Sequence, residues 1–339
     1  MKRALLLYNP ESGRRRRHRL ADVQAAAAAL QAAGVEPIVE PTSAPGSATV
    51  QARAAIGRGC DAVIVCGGDG SVHEVLPAVV GIPVALGVIP LGTGNGLAHD
   101  LRLPDDPAQA ARLLASAGTR PIAVLRVEYT RPDGARDSRY CMVGAGVGAD
   151  AYMVYRLTLR FKERWGMAAY YTESTRQWLT HDFPLFTAEF RHRDGEWRRE
   201  QVSQVLAVRI TSFGGLLDKL APGAALTRPD FQLVLFKTRS RLSFLRYMIG
   251  VWTNRPYSRP DVEILPCTEC RCLALEEAVG HRPSTIGAEP STIGHRPSTP
   301  IYAEGDGELL GTLPVSIFMS NDTVNLLVPA TAPAATAVL

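Results

Sequence analysis

Apolar residues follow two rhythms along this chain. Through residue 120, short apolar runs at Ala4–Tyr8, Val35–Val39, Val63–Cys66 and Val84–Ile89 alternate with stretches of helical character at Leu20–Ala33 and Ala48–Ile56. Continuous apolar runs suit strands covered on both faces, and strand, helix, strand in succession is the pattern of a parallel α/β sheet. Beyond Pro121 come longer strand-like pieces, Ile122–Tyr129, Leu185–Arg191, Val202–Ile210 and Phe231–Phe236, separated by Asp-Gly, Gly-Gly and Pro-Gly turns. A helical candidate covers Tyr152–Leu179. A second, Leu242–Trp252, has apolar residues at 245, 248, 249 and 252 with flanking arginines, which suits packing on a β layer or, alternatively, contact with a membrane interface.

The change of rhythm predicts an α/β domain over 1–121 and a mostly β domain over 122–325, and 339 residues suffice for two. Within the second, residues 280–300 repeat PSTIG and HRPST and are rich in Pro, Ser, Thr and Gly, so they read as an inserted loop without a core of its own.

Composition narrows the class. With 46% hydrophobic and 21% charged residues the chain can bury a substantial core. Much of the net charge of +4 sits in Arg14-Arg-Arg-Arg-His-Arg19, a solvated helix start or a contact for phosphate and anionic surfaces. So mild an excess is no argument for nucleic acid, and none is expected as a partner. No apolar stretch approaches the roughly 18 residues of a membrane span, and Ala4–Tyr8 is too short for a signal-peptide core. Six cysteines without an extracellular signal do not suggest a disulfide framework, so a cytoplasmic protein is expected.

Three polar, glycine-rich segments follow predicted strands: Asn9-Pro-Glu-Ser-Gly13, Gly67-Gly-Asp-Gly-Ser71 and Leu91-Gly-Thr-Gly-Asn95. At successive strand carboxyl ends they would face one crevice. Gly67, Gly68, Gly70, Gly92 and Gly94 let backbone N–H groups approach a ligand, and Ser12, Ser71, Thr93 and Asn95 add neutral donors, so phosphates are the favoured ligand. A carboxylate in such a crevice is repelled unless a cation intervenes. Asp69 therefore points to nucleotide-bound Mg²⁺ or to proton transfer, and Glu74, one helical turn on, supports the metal or decorates the helix. Asp306-Gly-Glu308 is a second carboxylate pair, and on spacing alone its Asp-Gly is a hairpin turn.

Several motifs are decoys. No Gly-Lys dipeptide exists, which excludes a Walker loop. His192-Arg-Asp-Gly195 imitates a protein-kinase catalytic loop, yet Arg199 stands where Asn is needed, so it reads as a hairpin turn. Gly92-x-Gly94 and Gly144-x-Gly146 lack the third glycine of a dinucleotide fingerprint at its proper place. Cys267, Cys270 and Cys272, with His281 and His295, have the residue types of a zinc site but only three thiols and a loop without a core.

Taken together, Asn9-Pro-x-Ser-Gly13, Gly67-Gly-Asp-Gly-Ser71-x-x-Glu74, Pro90-Leu-Gly-Thr-Gly-Asn95 and Asp306-Gly-Glu308 resemble the patterns of the diacylglycerol kinase catalytic-domain family, which includes bacterial lipid kinases, sphingosine kinases and ceramide kinases. Gly146-x-Gly148-x-Asp150-Ala, Lys162 with Gly166 and Tyr170, and Ala221-Pro222 agree with it. The likeness spans nearly the whole chain except the repeat.

The resemblance implies a doubly wound α/β domain similar to those of NAD kinases and phosphofructokinases, a C-terminal β-sandwich, and a last segment, 326–339, that returns to the first domain. ATP would lie in the cleft between them, against Asn9, Ser12, Gly13, Gly67 to Ser71, Glu74 and Gly92 to Asn95, with Thr42 near the adenine. Asp69 would help hold its Mg²⁺, and Asp306 or Glu308 would take the acceptor's proton. Ser71 and His73 replace the family's usual threonine and asparagine and keep a hydroxyl and a polar group. Some bacterial members bind a structural Mg²⁺ through Pro-Asn-Ala followed by Asp-Gly-x-Leu-Asp. Here Pro222-Gly-Ala and Asp230-Phe-Gln-Leu-Val234 retain one aspartate, Asp230, so that metal is not expected.

The function expected is an ATP- and Mg²⁺-dependent kinase of diacylglycerol or a sphingoid-type lipid, working at the membrane surface with Arg14 to Arg19 on anionic headgroups. A kinase of a soluble acceptor, of the NAD-kinase type, would instead need a polar second-domain pocket. A non-catalytic lipid-binding regulator sits poorly with intact Asp69, Asp306 and Glu308. Which lipid is used, and whether the chain forms a homodimer, these residues leave open.

Overall fold

The computed structural model describes residues 1–11, 18–156, 181–191, 195–213, 220–253, 259–275 and 300–330. Ser12, Gly13, Arg14 to Arg17, Lys162, Gly166, Tyr170, most of the 152–179 candidate helix, His281, His295, nearly all of the repeat and residues 331–339 of the last segment lie outside them.

The first rhythm folds as an α/β unit. Strands β1 (Arg3–Tyr8), β2 (Glu36–Pro41), β3 (Ala62–Gly67) and β4 (Ala85–Pro90) lie parallel in the order β2-β1-β3-β4. β3 is buried throughout and β1 at every residue but its first, as their unbroken apolar runs require. Helix α1 (Arg19–Ala32) packs with α5 (Pro107–Ala115), and α2 (Ala48–Gly57) with α3 (Asp69–Val79). The chain steps from β1 to β2 on one side, then passes β1 again to reach β3 on the other, so right-handed crossovers put α1 and α2 on opposite faces. That reversal opens a crevice at the carboxyl ends of β1 and β3.

The second rhythm folds as two packed β layers. One is β12 (Val262–Cys267), β11 (Phe231–Phe236), β10 (Gln204–Val208), β7 (Gly144–Gly148), β14 (Tyr302–Gly305) and β15 (Glu308–Val328), in that order. The other is β9 (Trp197–Val202), β8 (Phe186–Arg191), β13 (Glu269–Leu273), the same β15, β5 (Gly118–Thr130) and β6 (Arg136–Cys141). Phe186, Phe190 and Val202 of one layer share a buried cluster with Phe231, Leu233 and Val147 of the other. Helix α6 (Ala149–Arg156) follows β7. Helix α7 (Arg241–Thr253) lays Tyr247 and Val251 in a cluster with Val208, Phe236 and Val262 of β10 to β12.

β15 belongs to both halves. It pairs with β14 from Glu308, with β13 around Val315 and with β5 along most of its length, then runs parallel to β4 through Asn325↔Ala85 and Leu326↔Leu86. Its register with β5 shifts between Thr312 and Ser316 and between Met319 and Thr323, irregularities of the kind that let a strand bend from one layer into another.

One expectation needs correction here, and one decoy is accounted for. Arg19, the end of the basic run, is 2% exposed, so it cannot meet a lipid surface. The thiols of Cys267, Cys270 and Cys272 lie in the core between the β layers; Cys267 donates to two backbone carbonyls, and burial pushes its thiol up to about 12. They act as apolar packing, not as thiolate ligands.

The turns after β3 and β4 are in backbone contact. Leu91 N–H donates to Gly67 O at 3.1 Å, and a methyl on Gly92 would stand 2.4 Å from Gly68 Cα, whereas one on Gly94 would meet only an Asp69 oxygen at 3.7 Å. Gly92→Ala is expected to lower stability by about 1–3 kcal/mol, read from a denaturation midpoint, and Gly94→Ala by under about 0.5 kcal/mol. Equal effects would mean that the two turns do not touch.

Candidate active site

α3 begins at Asp69, directly after the glycines that close β3. Asp69 Oδ2 accepts the N–H of Gly96 at 2.8 Å and Oδ1 that of Leu97 at 3.0 Å. These are orphan donors in the first turn of α4 (Gly96–Asp100), so Asp69 caps a helix that belongs to another loop. Asn95 stands in the left-handed region at φ 57°, and its amide closes the turn on Gly92, accepting from N–H at 2.8 Å and donating to O at 3.2 Å. Thr93 and Gly94 are left exposed at the rim. At the far end of α4, Asp100 Oδ1 accepts the N–H groups of Thr211 at 2.7 Å and Ser212 at 3.2 Å, just beyond β10. The short helix thus ties the glycine turn to the β layers.

From the other half comes the β14–β15 hairpin. Gly305 pairs with Glu308, and Asp306 and Gly307 between them have φ of 51° and 80°, positive at both central residues as in a type I′ turn. The Asp306 carboxylate accepts three consecutive N–H groups, Met142 at 2.9 Å, Val143 at 2.8 Å and Gly144 at 3.1 Å. His73 Nδ1 of α3 lies 3.3 Å from its Oδ2. Cys141 completes a trio whose polar atoms fall within 4.8 Å of one another. With three N–H groups and His73 on it, Asp306 is a hydrogen-bonded hub. Glu308 is exposed, and its Oε1 would sit 2.6 Å from a Cβ on Gly70, so this carboxylate lies directly over the β3 glycine turn.

The corner is rich in acid. Burial raises the proton affinity of Asp69, and the charge of Asp306 adds to the rise, while its two N–H bonds oppose it. Half-buried Asp150 and buried Glu304 face one another and hydrogen-bond, with Glu304 also accepting the Gly307 N–H at 2.8 Å. Burial pushes Asp150 up to about 6; burial and then Asp150 push Glu304 up further. The two acids therefore hold one proton between them near neutral pH. Gly146 makes room for the pair: a Cβ there would stand 2.6 Å from an Asp150 oxygen and 2.8 Å from one of Glu304.

Of the residues singled out from the sequence, Asn9, Gly67, Gly68, Asp69, Gly70, Ser71, Gly92, Thr93, Gly94 and Asn95 gather at the carboxyl ends of β1, β3 and β4, while Ser12 and Gly13 lie outside the described residues. Asn9 Oδ1 accepts the Glu11 N–H at 2.8 Å, and Thr42 follows β2 beside β1, its N–H on Tyr8 O. Glu74 does something else: its Oε1 accepts the Ala48 N–H at 2.8 Å and caps α2, so it neither faces a metal nor decorates a surface. Asp230 is gripped by both arms of the Arg228 guanidinium, at 2.6 and 2.8 Å, so an arginine supplies the cation beside that aspartate. Asp100, Glu304 and the His73–Asp306 contact were missed. Asp100 carries a signal, because an acid in the last turn of a helix opposes the dipole and needs a reason.

Residues 3–127 match the model of the diacylglycerol kinase catalytic domain. The diacylglycerol kinase of Bacillus subtilis (strain 168) is 30% identical over 251 residues, 73% of this chain and 77% of that protein. The chain belongs to the diacylglycerol kinase family. It is a kinase. A diacylglycerol kinase of Staphylococcus aureus (strain bovine RF122 / ET3-1) is 24% identical over 335 residues, 96% of the kinase and 94% of that protein. A Bacillus anthracis str. Sterne structure assigned to the diacylglycerol kinases superposes with a TM-score of 0.73 at 18% identity, covering 98% of this chain and 97% of that one, so the fold is shared throughout. No helix among the kinase's described residues is long and apolar enough to cross a membrane.

The buried acid pair sets a pH dependence. A carboxyl whose folded pKa is raised contributes stability fully present below its unfolded value, about 4, and lost as pH rises through the folded value. For Asp150 that loss runs from about pH 4 through about 6, and Glu304 extends it upward. Asp150→Asn removes one acid, so relative to wild type it is expected to gain on the order of 1–3 kcal/mol between pH 5 and pH 8, followed by thermal denaturation at both. A gap that does not change with pH would refute the shared proton.

Proposed function

We propose that this kinase transfers the γ-phosphoryl group of ATP, with Mg²⁺, to a hydroxyl of a lipid acceptor of the diacylglycerol or sphingoid type. The observation that carries the proposal is the meeting of the two glycine turns with the exposed Glu308 carboxylate over Gly70. The naming of its relatives as diacylglycerol kinases supports a lipid acceptor.

The residues present fit the donor. Gly67, Gly68 and Gly70 offer bare backbone at the start of α3, where N–H groups and the helix dipole favour phosphate. Thr93 and Gly94 extend that surface at the rim. Asp69 fits a cation, because each oxygen holds one N–H bond and keeps a lone pair, and a positive charge would offset the burial and the Asp306 charge that now disfavour its ionised form. Mg²⁺ when bound would neutralise charge on the phosphates.

The chain's own residues then divide the work. Asp69 and Asn95 hold the two turns in register, so phosphate groups meet a fixed set of donors. Asp306, loaded with N–H groups, orients the hairpin. Glu308, exposed and without those bonds, is the better base for the acceptor hydroxyl, which gives up its proton as the phosphoryl group arrives.

The test is label transfer from γ-labelled ATP to diacylglycerol, sphingoid bases, ceramide and phosphatidylglycerol in mixed micelles. Glu308→Gln is expected to lower kcat by roughly 10²–10⁴-fold with the melting temperature unchanged. Asp306→Asn, which leaves one oxygen for three donors, is expected to lower both. Full activity in Glu308→Gln would end its role as base, and ATP binding without transfer to any lipid would end the lipid reading.

A further inference from the structure

α7 has a second apolar face. Its inner side packs Tyr247 and Val251 on the β layer, yet Leu242, Ile249 and Trp252 remain 49%, 45% and 48% exposed. Spaced seven and three residues apart, these three share the outward side of the helix. Arg241 and Arg246 are exposed on the same helix, and 239–253 contains three arginines and no acid. A soluble surface helix would carry mixed charge there. Apolar and tryptophan side chains beside arginines, on a helix already satisfied within the fold, are instead what an interfacial helix presents to a bilayer.

The position of α7 gives this face a purpose. A file of rings in successive contact, Tyr302, Tyr155, Tyr152, His181, Phe183 and Phe244, runs from β14 of the Glu308 hairpin to α7, with centroids 4.3 to 6.2 Å apart. Tyr155, stacked on Tyr302, is itself 47% exposed. The helix therefore stands at one end of an aromatic path whose other end adjoins the hairpin.

We propose that the outer face of α7 docks the kinase on an anionic lipid surface, with Leu242, Ile249 and Trp252 entering the acyl boundary and Arg246 resting among the headgroups. The inference rests on the lipid-acceptor reading for its purpose but on α7 alone for its geometry. It moves surface contact from the basic run before α1 to the β half of the molecule.

All six native cysteines are buried, so Ile249→Cys can be labelled selectively with an environment-sensitive fluorophore. Emission is expected to rise and shift to shorter wavelength with phosphatidylglycerol vesicles and to stay flat with phosphatidylcholine vesicles. The same label at Val50→Cys, an exposed apolar position on α2, should stay flat with both. Arg246→Gln in the labelled chain should weaken binding to the anionic vesicles about fivefold, the effect of one basic residue at such a surface. Turnover of a monomeric short-chain diacylglycerol is measured in parallel. Insertion without turnover would remove the acceptor reading and leave this face standing; turnover with a silent label at 249 would overturn the face alone. An equal response to neutral vesicles would overturn it too, as would a signal that grows with protein concentration without vesicles and so assigns the face to a second copy of the chain.

Discussion

Three consecutive backbone N–H groups, on Met142, Val143 and Gly144, converge on one carboxylate, and much of the site is arranged around satisfying them. A buried donor without a partner costs about 1–3 kcal/mol, so the β6–β7 connection needs Asp306 close by. Asp306 reaches it only from a turn with positive φ at two successive residues, which Gly307 accepts without strain. Once the turn is fixed, the next residue is fixed with it, and that residue is Glu308. The orientation of the exposed carboxylate is thus inherited from a backbone requirement in a different strand pair.

The same device recurs across the cleft. Asp69 holds the start of α4, Glu74 the start of α2, and Asp100 the backbone beyond β10, each by accepting N–H groups from a segment remote in sequence. Carboxylates used this way hold loops that would otherwise be tethered only at their ends. Under the proposed function such bracing has a use, because donors already aimed need no reorganisation when charge develops before them.

The α/β half was legible because its signals are local: unbroken apolar runs for β1, β3 and β4, helical stretches between, and glycines where bare backbone was needed. β5, β8, β10 and β11 were visible for the same reason. What could not be read was pairing. Asp69 is separated from Gly96, Glu74 from Ala48 and Asp306 from Met142 by stretches that carry no mark of the contact, so Glu74 read as either a metal support or helix decoration and is instead a helix cap. Asp230 is the contrary case, since Arg228 stands two residues away and an acid beside an arginine is a pairing the sequence does announce. Glu304 carries no mark in the sequence that its carboxyl faces Asp150.

The sharing of β15 bears on how the molecule is made. β4 ends the row of strands formed early in synthesis, and its open side is covered only when the far end of β15 arrives, long after β4 has left the ribosome. Until then an apolar parallel edge stands unpaired, the template on which nascent chains join one another. The α/β half therefore cannot mature ahead of the β half, and a chain broken off before β15 would leave a sticky sheet in place of a partial enzyme.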